Sequence, residues 1–323
     1  TLDGAMHNDV QNDGGLPLPF PDALQEFRVA TSGLAAENGM HAGAAVNAVT
    51  KSGTNTLHGN AFEFLRDRRF NARNPFAAVG ADGKRLDDGL RRNQFGGTLG
   101  GPIVRDRLFV FGGYQGTRTR QVPTDNIAYV PTEAMLQGDF TAFASPACNS
   151  GRAIALRAPF VNNQVSPTLF NPVSLNLVKK LPKTDNPCGE TKFGLPLHRD
   201  QWQVVERTDY QLSANNTLFG RYIATKWNEV SSYALSGNNA IATANPNIDN
   251  LAQSLTLGHT GVRGANMVNA LRFAFNRTAV RRFNDDFFTL ADLGANIYSR
   301  NSPTKERSEE HTSELQSRFG ISY

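Results

Sequence analysis

Apolar and polar residues alternate along the chain in short runs. Between Met267 and Val280, Leu271, Phe273 and Phe275 fall on one side, and Arg272, Ala274, Asn276 and Thr278 on the other. In "LAQSLTLGHTGV", Leu251, Leu255 and Leu257 oppose Ala252, Ser254, Thr256 and Thr260. In "QWQVVERTDYQL", Trp202, Val204, Tyr210 and Leu212 oppose Gln203, Arg207, Asp209 and Gln211, with Glu206 the exception on the apolar side. A period of two is the mark of strands whose two faces meet different surroundings. Beyond the N-terminal segment it predicts an all-β fold with seven strands, over about 58–66, 93–103, 108–120, 201–212, 217–228, 251–262 and 267–280.

Alternation alone does not separate a soluble sandwich from a membrane barrel, because both present one polar face. The connections do. They run long, short, long, short: 67–92, "VRDR", 121–200, "SANN", 229–250, "RGAN", with a further long segment over 281–306. Short turns at one rim and long loops at the other characterise outer-membrane barrels. A structureless connection as long as 121–200 also counts against a compact soluble domain. No window approaches about 18 consecutive apolar residues, so no spanning helix is expected, whereas a spanning strand needs only about 9–11 residues.

The hairpin "NQFGGTLGGPIVRDRLFVFGGYQGTRTR" interleaves aromatic residues with Gly96, Gly97, Gly100, Gly101, Gly112 and Gly113. Glycine weakens a strand interior, so these positions are expected to make room for other backbone in a crowded lumen. Phe109, Phe111, Tyr114 and Trp202 suit the aromatic girdles of a barrel.

Composition narrows the functional classes. Hydrophobic residues make up 39% of the 323 and charged residues 19%, which does not fit global disorder. The net charge is +4, and its arginines are scattered rather than striped, so no nucleic-acid partner is expected. His7, His41, His58, His198, His259 and His311 show no ligand spacing. "LDGAMHNDVQNDGG" gathers Asp3, His7, Asp9 and Asp13 but lacks the spacing and bidentate Glu of an EF-hand, and Asx- and Gly-rich runs are ordinarily turns. No nucleophile elbow or phosphate loop appears in context, and the pair Asp285 and Asp286 fits solvated loop charges. Neither an enzyme nor a cofactor is expected. Cys148 and Cys188 either close a disulfide in an oxidising compartment or stand as two thiols.

Several stretches resemble TonB-dependent outer-membrane transporters of the Oar-like branch: "PDALQEFRV", "AGAAVNAVTKSGTN", "HGNAFEFLRD", "LRRNQFGGTLGGPIVRDRLFVFGGYQGTR" and "RTDYQLSANNTLFGRY". Together they cover most of residues 1–282. Two positions depart from that pattern: Ala44 stands where a glycine is usual, and Asn38 where an aromatic is usual. The resemblance implies a plug end over 1–55, with plug strands at 25–29 and 45–50 and a hand-over turn at 51–55. The N-terminal part of a transmembrane barrel then follows over 56–306, within a whole of about 22 strands.

It also implies a bacterial outer-membrane location, a lipid surround, an extracellular solute and the TonB–ExbB–ExbD energising complex. The implied function is active import of a large solute such as an oligosaccharide, peptide or metal chelate. An adhesion or secretion role for the same barrel is the alternative, and a soluble β-rich binding module a third reading. Within this picture Glu26, Arg28 and Lys51 are expected to hold plug to wall, since buried charges need partners. Arg207, Asp209, Arg272 and Asn276 are expected to face the lumen, lining the path or touching the plug. Solute contacts are expected in 121–200.

At the two ends the sequence raises separate expectations. The chain opens at Thr1 in mid-pattern, so the start, with any signal sequence and TonB box, is expected to lie further upstream. At the other end "RSEEHTSELQS" resembles a translated sequencing adapter, so 307–323 is expected to be non-native.

Overall fold

The computed structural model describes residues 1–9, 14–31, 44–75, 77, 79–80, 83–123, 126–237, 239–243, 245–285, 288–296 and 310–322. Asp13, Asn38, His41 and Asp286 lie outside them.

The N-terminal segment holds β1 (Asn8–Asp9), β2 (Gly14–Gly15), β3 (Leu24–Ala30) and β4 (Ala45–Thr50), with β1 paired to β2 and β3 to β4. There follow β5 (His58–Asp67), β6 (Arg91–Val104) and β7 (Leu108–Gln121). A short two-stranded antiparallel sheet of β8 (Asn126–Tyr129) and β9 (Glu190–Phe193) is set into the next connection, with helices α1 (Glu133–Leu136) and α2 (Pro172–Val178) between its strands. The chain then resumes as β10 (Leu197–Ser213), β11 (Asn216–Val230), helix α3 (Ser232–Leu235), β12 (Asn247–Arg263), β13 (Met267–Phe283) and β14 (Glu310–Ser322). One eight-stranded antiparallel sheet takes the order β14-β13-β12-β11-β10-β7-β6-β5. It is a meander left open at β5 and β14, an arc of a barrel.

All seven expected strands are present, and most are longer than the alternation suggested. β10 starts at Leu197, and Leu197–Asp200 continue the ladder opposite Gln121–Arg118. Backbone pairing is indifferent to side-chain polarity, so the ladder runs past the apolar band into residues that carry no hydrophobic signal. The stretch expected to be foreign forms β14, paired with β13 from Arg282↔Glu310 to Ala270↔Ser322. An unpaired sheet edge offers its N–H and C=O groups to any extended segment.

The connection 121–200 is a small stapled unit. A disulfide joins Cys148 to Cys188. The Thr132 side chain caps α1, that of Asn171 caps α2, and Phe140 packs edge-on against Phe143 and Phe160.

Register sets the two faces of the sheet. The inner face presents Phe111, Val205, Ile223 and Phe62, packed against Leu2, Phe20, Ala23, Leu24 and Ala48 of the N-terminal segment. It also buries Gln203, Arg221, Thr225, Ser254 and Thr256. The outer face carries exposed Leu99, Tyr114, Leu218, Leu257 and Leu271. Polar residues inside and large apolar ones outside invert a soluble protein, and a contiguous face of this kind needs hydrocarbon against it. Glu206, opposite Gly112 and Tyr222, lies on that outer face.

Adjacent glycines point to opposite faces, so the expectation that all six line the interior holds for only three. On the inner face the Phe62 ring covers Gly96, the Phe111 ring covers Gly100 and the Phe20 ring covers Gly113. Gly97, Gly101 and Gly112 alternate with them on the outer side, and a Cβ at Gly112 would meet nothing.

The segment Lys51–Asn55 hands the chain to β5. Asn55 anchors it, donating from Nδ2 to Asp106 Oδ1 at 2.6 Å and accepting from Asp106 N at 2.8 Å. Gly53 lies so close to the sheet that a Cβ would stand 2.3 Å from the Val110 carbonyl oxygen and 2.6 Å from that of Gly101. Gly53→Ala therefore forces backbone apart, at a cost of about 1–3 kcal/mol or more. Heat-modifiable migration of the whole barrel should report it as a lower unfolding temperature, while Gly112→Ala leaves that temperature unchanged.

Candidate functional site

The site is the seam where the N-terminal segment meets the inner face, and it begins with a turn. Leu2 and Ala5 exchange backbone hydrogen bonds at 2.9 and 3.1 Å across Asp3 and Gly4, whose φ values are +52° and +76°. Positive φ at both central residues is the geometry that Asp-Gly serves in tight hairpins. Asp3 N donates to the Ala48 carbonyl, tying the turn to β4.

This turn aims the Asp3 carboxylate at two arginines. Arg207 of β10 and Arg221 of β11 stand directly opposite each other in register, an arrangement that is destabilising for like charges. Asp3 lies between them, with Oδ1 3.0 Å from Arg207 Nη1 and Oδ2 3.4 Å from Arg221 Nε. Side-chain exposure is 2% for Asp3, 14% for Arg207 and 0% for Arg221. Thr50 donates to the same carboxylate from N at 2.8 Å and from Oγ1, and Arg207 Nη1 donates to the Thr50 carbonyl at 3.0 Å. Arg221 Nη2 also donates to Ser254 and Thr256.

Asp209 completes the cluster by accepting from Arg207 Nε and Nη2 at 2.9 Å. The Phe219 ring lies over Gly258 and receives Arg207 and Arg272, each 5.0 Å from its centroid. The lumen candidates Arg207, Asp209, Arg272 and Asn276 are thus all on the inner face, and Asn276 Nδ2 donates to the Met6 carbonyl at 3.0 Å.

Further contacts extend the seam. Gln203 accepts from Phe20 N at 2.7 Å and donates to the Leu18 carbonyl at 3.0 Å and to Thr225 at 2.8 Å. Asn60 on β5 donates to Asp22. His7, buried, lies 3.3 Å from Ser254 Oγ through Nδ1 and 3.1 Å from the Pro17 carbonyl through Nε2. Burial pushes its imidazole down to about 4, with Arg221 adding to the effect and the Pro17 carbonyl opposing it.

The plug–wall candidates are distributed differently. Glu26 and Arg28 are exposed on β3, and neither they nor the Lys51 ammonium bond to a described residue of the wall. The Lys51 backbone N–H donates to the Ala23 carbonyl, a contact within the N-terminal segment. The charges that cross the seam are Asp3, Arg207 and Arg221 instead. Proximity in sequence to the hand-over turn favoured the former set, whereas burial selects the latter. Asp3 belonged to a run read as a turn, and the Asp-Gly pair was the signal for it; Arg221 alternates in phase with Phe219, Ile223 and Thr225.

Among the described residues no group of His, Cys, Asp and Glu could hold a metal ion. Asp285 accepts from Ser231 and Asn247, bracing the start of α3 rather than facing a second carboxylate within the described residues.

Residues 49–321 match the family described as the outer membrane beta barrel domain. The chain belongs to that family. This outer-membrane barrel sits in the bacterial outer membrane. It is 32% identical over 127 residues to the TonB-dependent transporter Oar of Myxococcus xanthus, a match covering 37% of the chain and 11% of that protein. A solved structure, the siderophore receptor PirA from Acinetobacter baumannii, aligns over 80% of the chain and 27% of its own length at 16% identity and a TM-score of 0.42. The chain spans less than a third of either relative.

Two outcomes follow for the seam, both read in the full-length barrel by urea release of the N-terminal segment. Asp3→Asn leaves two buried guanidinium groups facing each other and should weaken seating by about 3–5 kcal/mol. Because folding lowers the His7 value from 6.5 to about 4, seating is independent of this group above about pH 6.5 and weakens as pH falls toward 4. His7→Gln should flatten that dependence.

Proposed function

We propose that residues 1–55 are the end of a plug and that β5–β7 and β10–β13 are wall strands of a TonB-dependent transporter moving a large solute across the outer membrane. The observation carrying this reading is the seam itself. A separately paired sheet fills the concave side of a barrel arc and is held there by one buried carboxylate between two wall arginines. Such a contact is stable at rest and lost in one step when the turn bearing Asp3 is displaced. Drawing the plug inward by the TonB–ExbB–ExbD complex would break it, together with the Gln203, Asn276 and His7 contacts along the same line.

The named relative that is a transporter supports this reading. The stapled 121–200 unit is the proposed solute-contacting surface, because its helices and two-stranded sheet give recognition a rigid base. Its disulfide closes a long loop and contributes about 3–4 kcal/mol to keeping that base ordered in the loop-closure picture. Cys148→Ala with Cys188→Ala should leave the barrel's heat-modifiable migration unchanged and make 121–200 the first segment cut by an added protease.

Ser254 lies beneath His7 on the inner face, so Ser254→Cys reports plug movement. In cells carrying the full-length protein, labelling of Cys at that position by a membrane-impermeant maleimide should rise severalfold when the TonB complex is energised. A protonophore should suppress it. Equal labelling with and without the complex would contradict energised plug movement and favour a static surface role.

A further inference from the structure

Three arginine pairs stand directly opposite each other in the sheet, and two of them have carboxylates. Arg207 and Arg221 share Asp3. Arg91 and Arg120, on the outer side, are matched to Asp67 at 3.8 Å and Asp200 at 2.8 Å. The third pair is Arg66 on β5 and Arg92 on β6. Among the described residues no carboxylate lies within ion-pair distance of either.

This third pair faces inward. Arg66 alternates in phase with Asn60, which bonds Asp22, and with Phe62, whose ring is 6.1 Å from that of Phe20. It sits where β5 enters the long connection 67–92, at the mouth opposite the short turns. A cavity of about 390 Å³ opens there, with Arg66, Arg68, Arg73, Asp87, Asp88 and Gln121 in its lining. Asp87 is 3.7 Å from Arg68, and Asp88 is engaged by the Leu90 N–H and by Gln121 Nε2 at 2.9 Å. Arg73 donates to the Arg85 carbonyl at 2.6 Å and has no ion-pair partner among the described residues. Arg66 and Arg73 therefore line the cavity, and Arg92 stands opposite Arg66 at its edge in the ladder, none of the three with an ion-pair partner among the described residues.

Opposed like charges destabilise a ladder, and the other two pairs show how the fold relieves the same arrangement: a carboxylate is placed against them. We propose that Arg66, Arg73 and Arg92 form a binding site for an anionic group, a carboxylate or phosphate of the transported solute, at the extracellular mouth. Guanidinium forks match such groups bidentately. This rests on the transporter reading for its source of ligand and extends it by naming the solute's charge. A second station lies deeper on the same face. Once Asp3 leaves, Arg207, Arg221 and Arg272 retain only Asp209 as counter-charge among the groups of that cluster, so the opened path presents the same sign to the solute. In the resting state Asp3 occupies the place the passing anion would take.

The test uses the full-length protein in phospholipid nanodiscs, with citrate and tripolyphosphate as probes and calorimetry as the readout. Wild-type protein should bind at least one polyanion, with affinity falling as salt rises. R66Q with R92Q should weaken it by about tenfold or more, and R66K with R92K should keep most of it. A neutral oligosaccharide should compete with neither polyanion. Lipopolysaccharide retained from the membrane, measured by mass spectrometry, should be equal in all variants, because the pair faces the lumen. No polyanion binding by the wild type, unchanged affinity in the folded glutamine variant, or loss of lipopolysaccharide in place of soluble-anion binding would each overturn the proposal. Heat-modifiable migration confirms folding of each variant. Binding requires no energised partner, so failure here is separable from failure of the transport reading.

Discussion

The interaction on which the seam depends is one carboxylate set between two arginines that the sheet's register forces to face each other. Neither arginine can move away without shifting its whole strand, because successive side chains in a ladder are fixed in pairs. Hydration offers little relief, because the Arg221 side chain is fully buried and that of Arg207 is only 14% exposed. A charge from outside the sheet is the remaining solution, and the Asp-Gly turn at the edge of the N-terminal segment delivers it. The rest of the interface is arranged around that point, with Gln203 gripping the chain before Phe20, Asn276 holding the Met6 carbonyl and His7 buried neutral against Ser254.

Buried ion pairs of this sort are poor contributors of net stability but costly to break by halves. That asymmetry suits the proposed plug, a part that would stay seated until pulled. The apolar contacts of Leu2, Phe20, Ala23 and Ala48 with Phe111, Val205 and Ile223 supply non-directional attraction, and the charge fixes one register among the many that a greasy interface alone would permit. Gly53 and Asn55 then set the pivot. One lets the connecting backbone lie directly on the sheet, and the other ties it to the turn carrying Asp106.

Much of the wall was legible in the sequence because a period of two is a direct consequence of strand geometry. The alternations around Leu271, Leu255 and Trp202 identify the two faces without any tertiary information, and Glu206 stands out as an exception in sequence and structure alike. Strand ends were less legible, since Leu197–Asp200 and Arg281–Phe283 continue the ladder without apolar alternation, the former with charged cross-strand pairs such as Arg199 with Glu229 and Asp200 with Arg120. The stapled unit at 121–200 was hidden for a different reason: its elements are short, and its order comes from capping side chains, clustered phenylalanines and a disulfide rather than from periodicity. The seam was the least legible part. Arg207 and Asn276 could be assigned to the inner face from alternation, but that Asp3 meets Arg207 depends on contacts more than two hundred positions apart. Glu26 and Arg28 are as charged and as near the hand-over turn, and only burial separates them from Asp3.

A double-mutant cycle tests the central claim most directly. In the full-length barrel, urea release of the N-terminal segment would be compared for wild type, Asp3→Asn, Arg207→Gln and the double variant. Coupling of about 2 kcal/mol or more between the two sites is the predicted result, since each residue is the other's buried counter-charge. Effects that add within about 0.5 kcal/mol would mean that the two act independently, and the account of the seam would be wrong.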